Sequence, residues 1–298
     1  SRSFGDIYHN VLMRFGMELS SDGLPARDAG SRWQTATDAE IDEIVSRLTM
    51  DEYANLMGAA GDGEAEAAIA DYRRARVART ASAAARALAR QIRGGRVDGI
   101  HFESAFGRHG EFPAISTPGG IRIEGRIDRV DVLDGGFARI IDYKSGAQEF
   151  SAPDAAAGYQ LQLMIYLQAV SESYSPAGVF YFRIKEPRIE DDGSTDIAAE
   201  VLKNMKLDGV AVNDARALTA MGINPEGKER KGRMGQEEWD ALRETVGALL
   251  KDLVKNLSSG HVEAAPKAAT KLKTPANRNQ NACDYCQYKG ICNYDPAL

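Results

Sequence analysis

Two short segments constrain this chain more than anything else in it: Gly125-Arg126-Ile127-Asp128-Arg129-Val130-Asp131 and Ile140-Ile141-Asp142-Tyr143-Lys144-Ser145-Gly146. Each places an acid at the end of an apolar, strand-like run. Between them, Asp134-Gly135-Gly136 is a hairpin signal that predicts two neighbouring strands. Residues two apart in a strand share a face. Asp142 and Lys144 therefore point together, while Tyr143 turns its side chain away and leaves its carbonyl close by. Once the strands pair, Asp128 and Asp142 can meet at one divalent cation beside Lys144. Two carboxylates, a carbonyl and an ammonium suit a hard-metal site for phosphodiester hydrolysis. Lys144 would hold the attacking water or offset charge building on the phosphate oxygens. A lone Asp-x-Lys also fits an ordinary surface hairpin. The apolar pair Ile140-Ile141 before Asp142, and the strand that Asp128 is expected to terminate, weigh against that reading.

The rest of the pattern predicts helices around these strands. Phe4, Ile7, Tyr8, Val11, Leu12, Phe15 and Leu19 recur at helical spacing over 3–19. A second helix is expected over 37–58. An Ala- and Arg-rich helix is expected over 63–93, ended by Gly94-Gly95. The last two lie in a helical insertion (28–96) between the first helix and the strands, read as an accessory layer apart from the catalytic sheet. Strands are expected at 100–106, 121–127, 130–133, 137–143 and 179–184, inside a catalytic core spanning 97–185. One helix is expected to run from Pro153 to about residue 170. Residues 186–234 carry few signals and read as irregular, with a short strand and helix around 209–221. Trp239, Leu242, Val246, Leu249, Leu250 and Leu253 make one stripe on a helix over 236–257. From Gly260 to Asn281 the chain reads as an extended arm leading to a cysteine clip, together covering 260–298. The expectation is one α/β domain over 1–298: a mixed central β-sheet flanked by helices.

Charge and cysteine usage narrow the function classes. Lys plus Arg number 37 against 43 Asp plus Glu, a net charge of -6, which argues against a simple basic nucleic-acid binder. A nuclease is compatible, because a metal-holding site is locally acidic. Candidate basic patches are Arg73, Arg74, Arg76 and Arg79, and Lys228, Arg230, Lys231 and Arg233; solvated surface charge is the plainer reading of each. No run of eighteen apolar residues occurs, so no membrane span is expected. The first residue is Ser1, and an excised domain is the expectation. Cys283, Cys286 and Cys292 fall within the last sixteen residues, which does not fit a secreted disulfide framework and points to a reducing, cytoplasmic setting. Their C-x2-C-x5-C spacing predicts metal binding. An iron–sulfur cluster, a zinc site completed by another ligand, a Cys283–Cys286 disulfide and a frayed tail all remain open.

Taken together these segments resemble the PD-(D/E)xK nuclease superfamily, and within it the RecB-like branch. Gly5-Asp6-Ile7-Tyr8-His9 resembles that branch's histidine-bearing helix, and Gln162-Leu163-Met164-Ile165-Tyr166 its Gln-x-x-x-Tyr motif. The cysteines resemble the C-terminal iron–sulfur clip of AddB-type helicase–nuclease subunits. The resemblance covers nearly the whole chain and implies a restriction-endonuclease-like core. It implies His9 as a further ligand beside Asp128, Asp142 and the Tyr143 carbonyl, around Mg²⁺ or Mn²⁺. Lys144 is implied as the catalytic lysine, with Gln162 and Tyr166 orienting it and touching DNA phosphates. It further implies a [4Fe–4S] cluster in the intact parent protein, whose fourth cysteine is absent from this chain. The implied function is a DNA nuclease, a single-stranded DNA exonuclease working in double-strand-break resection with an AddA-type helicase/nuclease subunit. A free-standing or CRISPR-associated RecB-like exonuclease, a non-catalytic DNA-binding remnant and a zinc-binding interaction module are the competing readings. Glu103 and Glu124, on neighbouring candidate strands, could reach the metal or could be solvated strand acids. His101, His109 and His261 lack such a context.

Overall fold

The recurrence of Ile7, Val11, Leu12, Phe15 and Leu19 produces one helix, α1 (Phe4–Leu19), with all five side chains fully buried. The computed structural model describes residues 4–57, 64–117, 120–146, 148–185, 196–227, 232–261, 263, 283 and 286–292. After α1 come α2 (Arg32–Thr35), α3 (Asp38–Met57) and α4 (Glu64–Gly94). Thr37 starts α3 with a reciprocal cap: Glu40 N donates to Thr37 Oγ1 and Thr37 N donates to Glu40 Oε2.

The strands are β1 (Val97–Phe106), β2 (Ile115–Ser116), β3 (Arg122–Ile123), β4 (Gly125–Leu133) and β5 (Phe137–Lys144). Then follow α5 (Ala152–Ala156), α6 (Gln162–Val170), β6 (Ser175–Arg183), α7 (Ile197–Asn204), β7 (Leu207–Val212), α8 (Ala215–Ala220), β8 (Arg233–Met234), α9 (Gln236–Ser258) and α10 (Lys289–Cys292). Six strands form one mixed sheet in the order β1-β4-β5-β6-β7-β8, while β2 and β3 pair by themselves. The β1/β4, β4/β5 and β6/β7 pairs are antiparallel; β5/β6 and β7/β8 are parallel. The predicted hairpin closes with Gly135 and Gly136 both at positive φ, +81° and +75°. The parallel β5–β6 pair requires a crossover, and α5 and α6 supply it. The mixed sheet flanked by helices is the predicted fold class.

Alternation along β4 and β5 divides the apolar residues between two faces. Leu133, Phe137, Ile141 and Tyr143 pack with α1, α3 and α4; Val130, Ala138 and Ile140 pack with α6 and α9. The helical insertion is therefore not an accessory layer. Ala81, Ala84, Ala85, Leu88, Ala89 and Ile92 of α4 belong to the same buried cluster as Ile141, Phe180 and Phe182, so the insertion completes the core on one sheet face.

Other expectations need correcting too. Asp128 does not terminate a strand: β4 runs through it as a single element, and the segment before it is diverted into the β2/β3 ribbon. The helix expected over 153–170 is two helices, because the chain turns at Gly158, whose φ is +85°. Residues 197–220 form α7, β7 and α8; β7 and α8 are the short strand and helix expected around 209–221, and α7 was not expected. Their signals are short, and Gly209 lies in β7 because a Cβ there would stand 2.0 Å from the Val179 carbonyl oxygen. Lys228, Arg230, Lys231 and most of the predicted arm lie outside the described residues. No described helix is long and apolar enough to cross a membrane.

Candidate metal centre and active site

The site forms where β4 and β5 part. Their pairing ends at Arg129–Ile141, whereas β4 stays paired with β1 back to Gly125. At the parting, Asp128 replaces the missing ladder bond with its side chain: Tyr143 N donates to Asp128 Oδ2 at 2.8 Å. The Tyr143 carbonyl lies 2.9 Å from His9 Nε2, and His9 Nδ1 lies 3.4 Å from Asp128 Oδ2. The Tyr143 ring points into the opposite core, edge-on to Phe182, as its odd position in the strand requires. The N–H and the carbonyl of Tyr143 thus meet Asp128 and His9, and α1 is tied to the sheet by its histidine.

His9, Glu103 and Asp128 each offer a ligand atom, and these atoms all lie within 4.8 Å of one another. Glu103 reaches this position from β1 with a φ of +50°, the one non-glycine residue at positive φ among those described. A non-glycine residue in that region costs on the order of 1–3 kcal/mol and persists where surrounding structure enforces it, commonly at functional sites. Glu124 goes elsewhere. It lies outside β4, and its Oε1 accepts from Arg108 N at 3.2 Å.

Asp142 stands beside this group, almost fully buried, with its Oδ2 2.6 Å from Lys144 Nζ. Lys144 Nζ also donates to Gln162 Oε1 at 2.9 Å, and Gln162 Nε2 donates to the Tyr166 hydroxyl at 2.8 Å. Gln162 opens α6, so the break between α5 and α6 sets the amide against the lysine. Tyr166 rests on Phe106 with ring centroids 6.0 Å apart. The structure therefore brings His9, Asp128, Asp142, Tyr143, Lys144, Gln162 and Tyr166 to one place and adds Glu103. Cys283 and Cys292 are half-buried, Cys286 is exposed, and all three are free thiols at the other end of the sequence. His101 faces Glu111.

The electrostatics are those of a crowded anionic site. Burial pushes the Asp142 carboxyl up to about 6, and the charge of Asp128 adds to the push against the opposing pull of Lys144. Burial also raises Asp128 and Glu103, each partly offset by His9. Burial takes Tyr166 up to about 12, so it stays a neutral hydroxyl. Converging carboxylates and an imidazole nitrogen form a hard-to-borderline donor set suited to Mg²⁺ or Mn²⁺.

Sequence reasoning missed the charged trio beneath the site. Asp131, fully buried, accepts from Arg129 Nε at 2.6 Å, Arg129 Nη2 at 2.7 Å and Arg139 Nε at 2.6 Å. Its signal was available: charges at alternate positions of strands otherwise written in Val, Ile and Phe.

A mixed sheet whose diverging central strands carry two aspartates and a lysine, with a histidine helix docked over them, defines a metal-dependent nuclease class. A family model described as the PD-(D/E)XK nuclease superfamily matches residues 1–293, and the chain belongs to that superfamily. It is 30% identical to the B-type subunit of an ATP-dependent helicase/deoxyribonuclease from Thermoanaerobacter sp. (strain X514), over 98% of this chain and 26% of the relative. The equivalent subunits of Clostridioides difficile (strain 630) and Clostridium kluyveri (strain NBRC 12016) are 28% and 25% identical, each over 99% of this chain and 27% of the relative. The chain thus spans about a quarter of the length of the curated relatives it matches.

Proposed function

We propose that this chain is the nuclease domain of a helicase–nuclease subunit, hydrolysing phosphodiesters of single-stranded DNA as an exonuclease during double-strand-break resection. The observation that carries this reading is the alignment of Asp128, Asp142 and Lys144 at the β4/β5 parting, with Lys144 held between Asp142 and Gln162. Asp128, Asp142, Glu103 and His9 would hold the divalent cation, which when bound polarises the scissile phosphate and acidifies a water. The Tyr143 carbonyl faces His9 and would orient that ring. Lys144, fixed on two sides by Asp142 and Gln162, would hold the attacking water or offset charge on the phosphate oxygens. Gln162 and Tyr166 keep that ammonium in register, and the Tyr166 hydroxyl stays protonated to donate to a phosphate.

A groove beside the site supports DNA as the substrate. Phe4, Tyr8, Tyr72, Arg73 and Arg76 line a cavity of about 600 Å³ that reaches Ser145, the residue after Lys144. Aromatic faces interleaved with guanidinium groups are the chemistry that grips a single strand. A partner helicase/nuclease subunit of AddA type would feed that strand, in the cytoplasm. Cys283, Cys286 and Cys292 would contribute three thiolates to a structural [4Fe–4S] cluster in the longer protein.

The test is digestion of end-labelled single-stranded DNA with Mg²⁺ or Mn²⁺, comparing the chain with Asp142→Ala and Lys144→Ala. Metal-dependent cleavage lost in both variants is the expected result. Equal cleavage by all three would remove the active-site assignment.

A further inference from the structure

Arg126 and Asp128 are two apart on β4 and share a strand face, as Asp142 and Lys144 do on β5. The two strands stay paired as far as Arg129–Ile141. One step beyond that pair, Asp128 falls across from Asp142. Two steps further, Arg126 falls across from Lys144, over the opening where the strands have parted. Each aspartate thus has a basic residue two positions outward on its own strand. Lys144 is held by Asp142 and Gln162, whereas Arg126 is not held in this way. Its side chain is 65% exposed, and its guanidinium makes no hydrogen bond among the described residues. Its ion-pair contact is Glu103, with Nη1 4.0 Å from Oε2. A pair at that distance, with the guanidinium in solvent, contributes at most about 1 kcal/mol and leaves the N–H donors available.

That neighbour is itself part of the metal centre. In the β1/β4 register Phe102 pairs with Arg129 and Ser104 with Ile127, so Glu103 falls opposite Asp128, and its carboxylate converges with Asp128 and His9. The charge balance of the loaded site then gives Arg126 a use. Asp128, Asp142 and Glu103, once ionised around a divalent ion, carry three negative charges. The metal ion and Lys144 carry three positive ones, and His9 as a ligand is neutral. The site is balanced before DNA arrives, yet a phosphodiester brings a further negative charge and gains more as it is attacked. Arg126 supplies the positive charge that this balance lacks. A planar guanidinium can also give two parallel N–H groups to two phosphate oxygens.

We propose that Arg126 is a second phosphate-holding residue of the nuclease site, facing Lys144 across the opening; this rests on the nuclease reading above. Its guanidinium donates to oxygens of the DNA backbone phosphate at the metal centre. Without DNA it rests beside Glu103.

The experiment measures fluorescence anisotropy of a labelled oligothymidylate with Mn²⁺ over a range of salt. Lys144→Ala is the background, so that the strand is bound and not cut, and Arg126→Ala, Arg126→Lys or Arg122→Ala is added to it. Arg122 is the control, an exposed arginine next to the site that sits 3.7 Å from Glu124. Arg126→Ala should weaken binding about tenfold and lower the slope of log affinity against log salt by about 0.7, the share of one phosphate contact on a single strand. Arg126→Lys should keep the slope and lose part of the affinity. Arg122→Ala should stay within about twofold. Calorimetry with Mn²⁺ alone should give the same affinity for the 298-residue chain with and without Arg126→Ala. Unchanged DNA affinity and slope in Arg126→Ala would overturn the proposal, as would an equal loss in Arg122→Ala. Weaker Mn²⁺ binding in Arg126→Ala would also overturn it, because the arginine would then act by holding Glu103. If Lys144→Ala fails to bind a strand that the unaltered chain cuts, Lys144 alone holds the phosphate and the proposal falls. Neither binding nor cleavage by any form would instead remove the nuclease reading, and this inference with it.

Discussion

Lys144 has Asp142 on one side at 2.6 Å and Gln162 on the other at 2.9 Å, a clamp that fixes a side chain otherwise rich in rotamers. Lys144→Ala should lower the DNA cleavage rate by about 10²–10³, the scale of losing one preorganised electrostatic group. Gln162→Ala keeps the charge and loses the clamp, so a fall nearer tenfold is expected, with KM little changed. A rate for Gln162→Ala as low as that for Lys144→Ala would mean that the amide itself touches the reacting groups. The acids make the site sensitive to pH. Asp142 binds its proton more tightly folded than unfolded, with a value near 6 against an ordinary 3.8. Its contribution to stability of the metal-free fold therefore declines as pH rises from about 4 to 6. A cation must displace that proton, so the rise in Tm on adding Mn²⁺ should be small at pH 5 and reach its full size by pH 8. A rise as large at pH 5 as at pH 8 would show that Asp142 takes no part in holding the metal.

At the scale of elements, the parting of β4 from β5 does two jobs. It frees Asp128 to bond the Tyr143 amide, and it opens the sheet where Asp142 and Lys144 emerge. Immediately behind it, on the opposite face, Asp131 ties β4 to β5 through Arg129 and Arg139. Asp131→Ala would leave two buried guanidiniums facing each other, and a loss of about 3–5 kcal/mol is expected in urea unfolding. Near-wild-type stability would mean that water reaches the arginines. These elements also show what could be read in advance. The period-two placement of Asp142 and Lys144 and the glycine pair of the hairpin are local signals, and both led to the right geometry. Gln162 and Tyr166 survived the break between α5 and α6 because both fall in the second helix. Glu103 could not be decided from sequence, since its place depends on a backbone φ of +50° that no neighbouring residue encodes. Glu124 misled because its four-residue spacing from Asp128 counts as one face only if the strand is unbroken, and here it begins at Gly125.

Across the whole molecule, the helices between His9 and β1 were expected to stand apart and instead fill one side of the sheet. Composition suggested helices but not where they dock: alanine has high helix preference anywhere, and only the tight packing of Ala81, Ala84, Ala85 and Ala89 against α1 and the sheet reveals their role. β8, which brings the sheet to six strands, was not expected because it is only Arg233 and Met234 with no periodic pattern around them, whereas β7 answers to the short strand expected near 209. Sequence thus announced the superfamily, through a few spaced side chains, more readily than the layers that hold them.

The His9–Tyr143 contact bridges 134 residues, whereas Arg139 and Asp131 are eight apart. On an unstructured chain each doubling of a loop adds about 0.6 kcal/mol to the entropy of closing it, so the hairpin and its buried ion trio can form early and the histidine must arrive late. During refolding, Mn²⁺ binding should appear only with the slowest phase, after far-UV circular dichroism has largely recovered; binding that tracks the early phase would place α1 docking first. A chain leaving the ribosome would carry α1 long before the aspartates exist, and would carry the aspartates before α1 could close over them. On the proposed reading the site is a timer as well as a tool: its histidine joins the aspartates only when a contact across 134 residues is made.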